Sequence, residues 1–371
     1  MKNFRIAYLL ILSVFMFASV GTKANDEEHG VKEKVHEVVE HIEEAEERFN
    51  PVPVIMHHVT DAHEWHLWGE GEHSVTIPLP VILWTDKGLV TFMSSAFHHD
   101  DNGHHVVEKN GMRFVKVHEK IYQLNEGETA AKFNEEHLIE NGFKQLDFSI
   151  TKNVAAMLIA AILLLFIFGK MGSYYKNNGP VAPKGIASFL EPVVVFVRDE
   201  IALVNIGEKK HAKFLPYLLT VFFFIWIGNL LGLLPGGANL TGNIAVTLTL
   251  SVFTMLIVNL NGNKDYWGHI FWMPGAPVPV KFILAPIELV GIFAKPFALM
   301  VRLFANITAG HIVILSLISL IFIFKSVAMG AVSVPFALFI SVLELLVAFL
   351  QAFIFTMLSA LFIGMAVQEH H

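Results

Sequence analysis

Hydrophobic and polar positions change their pattern once along this chain, near residue 150. Beyond that point long apolar runs are separated by short basic or Pro/Gly-containing links. Residues 153–168 predict a first membrane span, a little short of the ~20 residues a bilayer needs and extended by Phe148 and Ile150. Residues 188–206 mix Glu191, Arg198, Asp199 and Glu200 with apolar side chains, which predicts an interfacial amphipathic helix. Residues 214–234 and 243–260 predict two more spans, joined by a tight turn at 235–239. The run 282–324 is 43 residues long, and as one helix it would measure about 64 Å. A hydrocarbon core of about 30 Å holds it only if it tilts, breaks or projects beyond the lipid. The run 334–367 poses the same problem in milder form.

Before residue 150 the pattern is different. Residues 1–24 combine Lys2 and Arg5, an apolar run at 7–20 and a small-residue cleavage site at Thr22-Lys23-Ala24, which predicts a signal peptide. Val31, Val35, Val38, Ile42, Ala45 and Phe49 predict an acidic amphipathic helix over 31–49. After Pro53 the runs 74–85, 88–95 and 112–118 predict strands, with turns at Asp86-Lys87-Gly88 and Asn110-Gly111. Pro78 and Pro80 place part of the first run at a sheet edge. The fold class is therefore mainly α: a polytopic membrane protein with about five transmembrane helices, the last two long and tilted. A small α+β extramembrane head precedes them. The domains follow as a signal at 1–24, an exported His-rich head at 25–150 and a membrane domain at 151–371.

Lysines fix the orientation. Lys170, Lys176 and Lys184 follow the first span, and Lys209, Lys210 and Lys213 precede the second. Basic links mark the cytoplasmic side, so the head lies outside and the C-terminus inside. Only 16% of residues are charged, against roughly a quarter in soluble chains, and this fits a membrane protein. A net charge of −7 gives no electrostatic case for nucleic acid. The lack of cysteine excludes disulfides, thiolate metal sites and thiol nucleophiles. The head carries 14 of the 19 histidines. They fit either a divalent metal site or a pH-responsive polar surface, and their spacing matches no ligand signature.

Candidate chemistry sits inside the last two runs. The first contains Glu288, Lys295, Arg302, Asn306 and His311; the second contains Glu344 and Gln351. A charge at bilayer depth costs at least ~2.5–3.5 kcal/mol, so such groups face water, protein or each other. Glu288, Lys295 and Arg302 are seven apart and share a stripe, with Asn306 one turn on. His311 lies about 180° around the helix from Arg302. A permanent guanidinium on one face and a titratable imidazole on the other suit a proton route passing a fixed charge. Structural parts also fit several of these residues. Asn306 and Gln351 suit interhelical hydrogen bonding, Glu288 an interfacial position, Glu344 a neutral packed acid, and Lys295 a snorkelling chain. Arg302 resists any packing explanation.

The string KPFALMVRLFANITAGH at 295–311 resembles the signature of subunit a of rotary ATP synthases. LQAFIF at 350–355 and NLLGLLP at 229–235 resemble two further motifs of that family. The resemblance spans roughly 150–371 and leaves the head outside it. It implies that Arg302 faces a carboxylate on the rotor ring, with Asn306, His311, Glu344 and Gln351 in an outer half-channel and Glu288 in an inner one. Some bacterial relatives exchange the acid and the histidine relative to His311 and Glu344. It implies as partners the rotor-ring subunit c, the peripheral-stalk subunit b, the other ATP synthase subunits and a bacterial inner membrane. No cofactor is implied, and nucleotide chemistry falls to partner subunits, since no phosphate-binding Gly-rich loop occurs here. A proton-coupled secondary transporter and a passive membrane scaffold are the alternatives. The first calls for a substrate pocket and the second makes Arg302 needless.

Overall fold

The computed structural model describes residues 49–68, 75–134, 138–179, 181–234, 236–275 and 277–368. The signal expected at 1–24 and all but the last residue of the acidic helix expected at 31–49 lie outside the described residues. The described part of the head opens with a helix, α1 (Pro51–Val59), in a stretch to which the sequence assigns no element before the first expected run at 74. The Asn50 side chain accepts from the Val52 N–H, and Pro51 occupies the first helical position. Those two start signals outweigh the Val-Pro-Val composition.

Among the described residues nine antiparallel strands follow. β1 (Glu64–Trp68) pairs with β2 (Val75–Pro78). β3 (Pro80–Thr85) lies between β4 (Gly88–Met93) and β9 (Leu146–Asp147). β5 (Val107–Lys109), β6 (Met112–Val117), β7 (Lys120–Leu124) and β8 (Gly142–Lys144) form a third sheet in that order. The expected run 74–85 is divided at Leu79. β2 pairs only with β1, as its proline predicts, whereas Pro80 merely opens β3, which is central. Along β3, Val81, Leu83 and Thr85 turn inward and join Val90, Phe97, Phe114 and Ile121 in the head core.

The membrane part begins with α2 (Lys152–Asn178), capped by Thr151. Phe148 and Ile150 do not extend this helix. Their N–H groups donate to Ile82 and Pro80 carbonyls, so the chain is still part of the sheet there, and the helix gains its length at its other end. α3 (Ile186–Phe196) runs through a π-helical stretch, Val197–Leu203, into a last turn, Val204–Ile206. α4 (His211–Gly232) and α5 (Ile244–Leu260) follow the expected runs. The segment after α5, whose Lys264, Asp265 and Lys281 read in the sequence as a cytoplasmic loop, contains a short helix, α6 (Lys264–Phe271), bent 103° from α5. α7 (Val278–Phe324) and α8 (Val327–Val367) are 47 and 41 residues long.

α7 stays one helix through Pro286 and Pro296. At about 70 Å it must therefore tilt or project rather than break. Among the described residues four helices are long and apolar enough to cross a membrane, five if α5 and α6 count as one bent span. α8 packs against α4 and α7, and small residues line its buried face, among them Ala348, Ala352, Ser359 and Ala360. At Gly364 an added Cβ would overlap the Asn205 carbonyl, so only glycine permits that approach. Leu218, Phe222, Ile225, Leu303, Phe355 and Ile363 fill the core between these helices. Large apolar side chains such as Leu165 and Phe297 face outward, as lipid requires.

Candidate functional site

The site is built where α7 and α8 run past one another. Gln351 is 2% exposed and reaches across from α8. Its Nε2 donates to the Arg302 carbonyl at 2.8 Å, and its Oε1 accepts from Asn306 Nδ2 at 3.1 Å. Arg302, Asn306 and Gln351 thus form one cluster. The side chain of Arg302 is exposed. Among the described residues its guanidinium makes no hydrogen bond and no ion pair.

Two turns nearer the head, Glu344 is buried against Gly310. An added Cβ at Gly310 would fall well inside contact with Glu344 Oε1, and that oxygen has no hydrogen-bond partner among the described residues. His311 faces α4, where an added Cβ on Gly232 would lie 3.8 Å from its Nε2. No hydrogen bond joins His311 to Glu344; the carboxylate sits beside the neighbouring glycine. Glu288 is 14 residues from Arg302, about 21 Å along α7, and is not brought into the cluster. Lys295 lies over the Phe362 ring, 5.5 Å from its centroid.

Three residues outside the expected set hold this geometry. Asn229 is buried between α4 and α8; its Nδ2 donates to the Ala348 carbonyl and its Oδ1 accepts from Thr241 at 2.6 Å. Asn229 opens the NLLGLLP string, and that polar residue in an apolar run was the available signal. Gly310 adjoins His311 in the longer string and carried no signal of its own. Asp61, an isolated acid of the head, carried none either.

Asp61 anchors the head to the membrane part. Its carboxylate accepts from Thr151 Oγ1 at 2.8 Å, from the Asn153 N–H at 3.1 Å and from Asn243 Nδ2 at 3.3 Å. Thr151 and Asn243 are the N-caps of α2 and α5. Trp65 Nε1 donates to the Gly236 carbonyl at 2.6 Å in the α4–α5 turn. α1 packs on α7, and Phe49 meets Phe322 at 5.3 Å between ring centroids. The His63 imidazole is buried between Glu119 and Asp147. Burial disfavours its charged form, but hydrogen bonds to Asp147 and Glu119, together with their charge, outweigh this and raise its pKa to about 9. Burial would likewise raise Glu119, yet the His63 hydrogen bond and the Lys116 charge bring it down to about 2. Among the described residues no three His, Asp or Glu side chains converge as metal ligands.

A family model for the ATP synthase A chain matches residues 154–364. The chain belongs to that family. Relatives of the ATP synthase A chain span most of it. The chain is 49% identical over 269 residues to ATP synthase subunit a of Chlorobium phaeobacteroides (strain BS1), covering 71% of this chain and 74% of the relative. It is 52% identical over 230 residues to that of Chloroherpeton thalassium, covering 61% and 69%. It is 53% identical over 241 residues to ATP synthase subunit a 2 of Chlorobaculum tepidum, covering 63% and 68%. A separate family model, a domain of unknown function, matches residues 54–148, which is the head. An ATP synthase A chain is a membrane-sector subunit and not itself the enzyme. Its family membership implies proton translocation.

Proposed function

We propose that this chain is the proton-conducting stator of an F-type ATP synthase, offering two half-channels to a carboxylate on a rotor ring. The observation that carries the reading is the exposed Arg302 guanidinium, unpartnered among the described residues and midway along an apolar helix. Such a charge calls for an anion from another chain. At about 4 Å and an effective dielectric of about 20, the attraction to a carboxylate is about 4 kcal/mol. That is worth roughly three decades in proton affinity. A protonated rotor carboxyl arriving at Arg302 therefore gives up its proton, and a permanently charged guanidinium cannot pass that proton across.

In this reading His311, Glu344, Asn306 and Gln351 line the half-channel on the head side, and Glu288 marks the other. Gln351 and Asn306 hold the backbone around Arg302, while Glu344 and His311 exchange protons. The head faces the periplasm, residues 1–24 direct its export, and the C-terminus is cytoplasmic. Subunit c supplies the rotor carboxylate, and subunit b with the remaining ATP synthase subunits completes the stator and the catalytic head in the bacterial inner membrane. The test is Arg302→Ala in assembled complex: ATP-driven proton pumping should be lost while ATP hydrolysis persists. Arg302→Lys should fail substantially, because an ammonium lacks the planar fork. Near-normal pumping by Arg302→Ala would overturn the reading.

A further inference from the structure

The seam between the head and the membrane part encloses a small cavity that the mechanism above leaves unused. His58, Glu64, His66, Lys152 and the Gly236-Gly237 turn line it. Its floor is fixed. An added Cβ on Gly236 would lie 2.8 Å from the Leu67 carbonyl, so β1 rests directly on the α4–α5 turn, and Lys152 Nζ donates to the His58 carbonyl at 3.1 Å. Gly232, which faces His311, is four residues before Gly236. An added Cβ on Gly237, which also lines the cavity, would lie 3.0 Å from the Gly232 carbonyl. The cavity therefore sits over the end of α4 that faces the imidazole.

Glu64 is the unusual group there. Its side chain is 10% exposed. Oε2 meets His99 Nδ1 at 2.6 Å, and Oε1 is buried with no hydrogen-bond partner among the described residues. A buried carboxylate with one oxygen unmatched is costly unless it takes a proton or a water there. His99 is 53% exposed on its side chain and so meets solvent. Imidazole and carboxylate are thus in contact, one at the surface and one on the cavity wall, with further imidazoles lining the same cavity.

We propose that Glu64 with His99 is a proton-loading site of the head, feeding His311 through this cavity. The proposal rests on the reading of His311 as a head-side channel group. The His99 imidazolium gives its Nδ1 proton to Glu64, and neutral His99 regains one from solvent. The Glu64 carboxyl passes its proton into the cavity toward His311 and is left as the carboxylate. Among the described residues, His99 contacts Glu64, His58, His66 and Lys152 line the cavity with it, and the adjoining His63 is held by Glu119 and Asp147. The need for such a site follows from proton scarcity. At an encounter constant of about 10¹⁰ M⁻¹s⁻¹, a lone acceptor at pH 8 is reached on the order of 100 times a second. A surface imidazole relaying to a sheltered acid raises that supply.

The experiment measures proton flux through assembled membrane sectors in vesicles as external pH is varied from 6 to 9. Glu64→Gln and His99→Asn should match the unmodified complex at pH 6 and fall about fivefold below it at pH 9. Glu64→Asp should recover part of the loss. Asn suits position 99 because φ there is 62°. Equal profiles for both variants, or a loss of the same factor at every pH, would overturn the proposal. If Glu64→Gln does not assemble, the His99→Asn profile decides. His311→Ala separates the two readings: blocked flux with normal Glu64 and His99 profiles removes the loading site alone, and undiminished flux in His311→Ala removes the channel assignment beneath it.

Discussion

Replacing His63 by Gln tests the electrostatic lock of the head. The imidazole side chain is 6% exposed; its Nε2 is 2.9 Å from Asp147 Oδ2, its Nδ1 3.4 Å from Glu119 Oε2, and its backbone N–H also donates to Glu119. It therefore ties β1 to β9 and to the β6–β7 turn. A pKa raised from 6.5 to about 9 is worth about 3 kcal/mol at 1.36 kcal/mol per decade. Because the folded value is the higher one, this stabilisation is fully present below pH 6.5 and disappears as pH rises through about 9. Glu119, lowered from 4.5 to about 2, acts in the opposite sense: its contribution is present above pH 4.5 and is lost as pH falls through about 2. The stabilisation from this pair is thus greatest between about pH 4.5 and 6.5. Hydrogen exchange of the β1 and β9 amides in the full chain, corrected for intrinsic rates, should show protection falling on the order of 10²-fold from pH 6 to pH 9. In His63→Gln, protection should be low already at pH 6 and should change less than about tenfold over that range. An equal pH response in the two proteins would refute this account.

Two further outcomes follow from the α7–α8 contact. Single changes His311→Ala and Glu344→Ala should slow proton uptake from the head side, and the double exchange His311→Glu with Glu344→His should recover part of what either exchange alone loses. A double exchange no better than the worse single one, in assembled complex, argues that the groups act independently. Gly310→Ala places a Cβ where Glu344 Oε1 now sits. The flexible carboxylate should move while the fold survives, cutting proton flux about tenfold, and Glu344→Asp in the same chain should restore some of it. Unchanged flux in Gly310→Ala would show that the carboxylate position is unimportant.

The membrane helices were legible in the sequence because each needs only its own run of apolar residues. The strands were legible where turn residues and β-branched runs coincide, as at Asn110-Gly111 before β6. β1 and β9 were not, since β9 is two residues long and pairs with β3, more than 60 positions earlier. α6 was hidden because Lys264 and Asp265 read as loop, although the Asn263 side chain caps it by accepting from the Tyr266 N–H. Within the site, Glu344 and Gln351 are seven residues apart, a spacing that puts them on one face, and both are buried on α8. The spacing did not reveal what they touch. Small residues let α8 lie close to its neighbours, Asn229 ties it to α4, and its register on α7 brings Gln351 to the Arg302 carbonyl and Glu344 to Gly310.

The position of the head is likewise a matter of unsatisfied backbone groups. The first turn of a helix carries N–H groups without intrahelical acceptors and a partial positive charge. At α2 and α5 such ends need oxygen partners at the edge of the lipid. Asp61 supplies one directly to the Asn153 N–H and supports the caps Thr151 and Asn243, so one carboxylate serves two helices. Trp65 adds a donor to the turn between α4 and α5. The head is therefore held at α2, α5, the α4–α5 turn and α7 rather than only by the short connection at Ser149 and Ile150. Such multiple attachment fixes the cavity walls from both sides, β1 above and the glycine turn below. A loosely tethered domain would open and close over His311; one held at Asp61, Trp65 and Phe49 keeps any proton path through the seam at constant width.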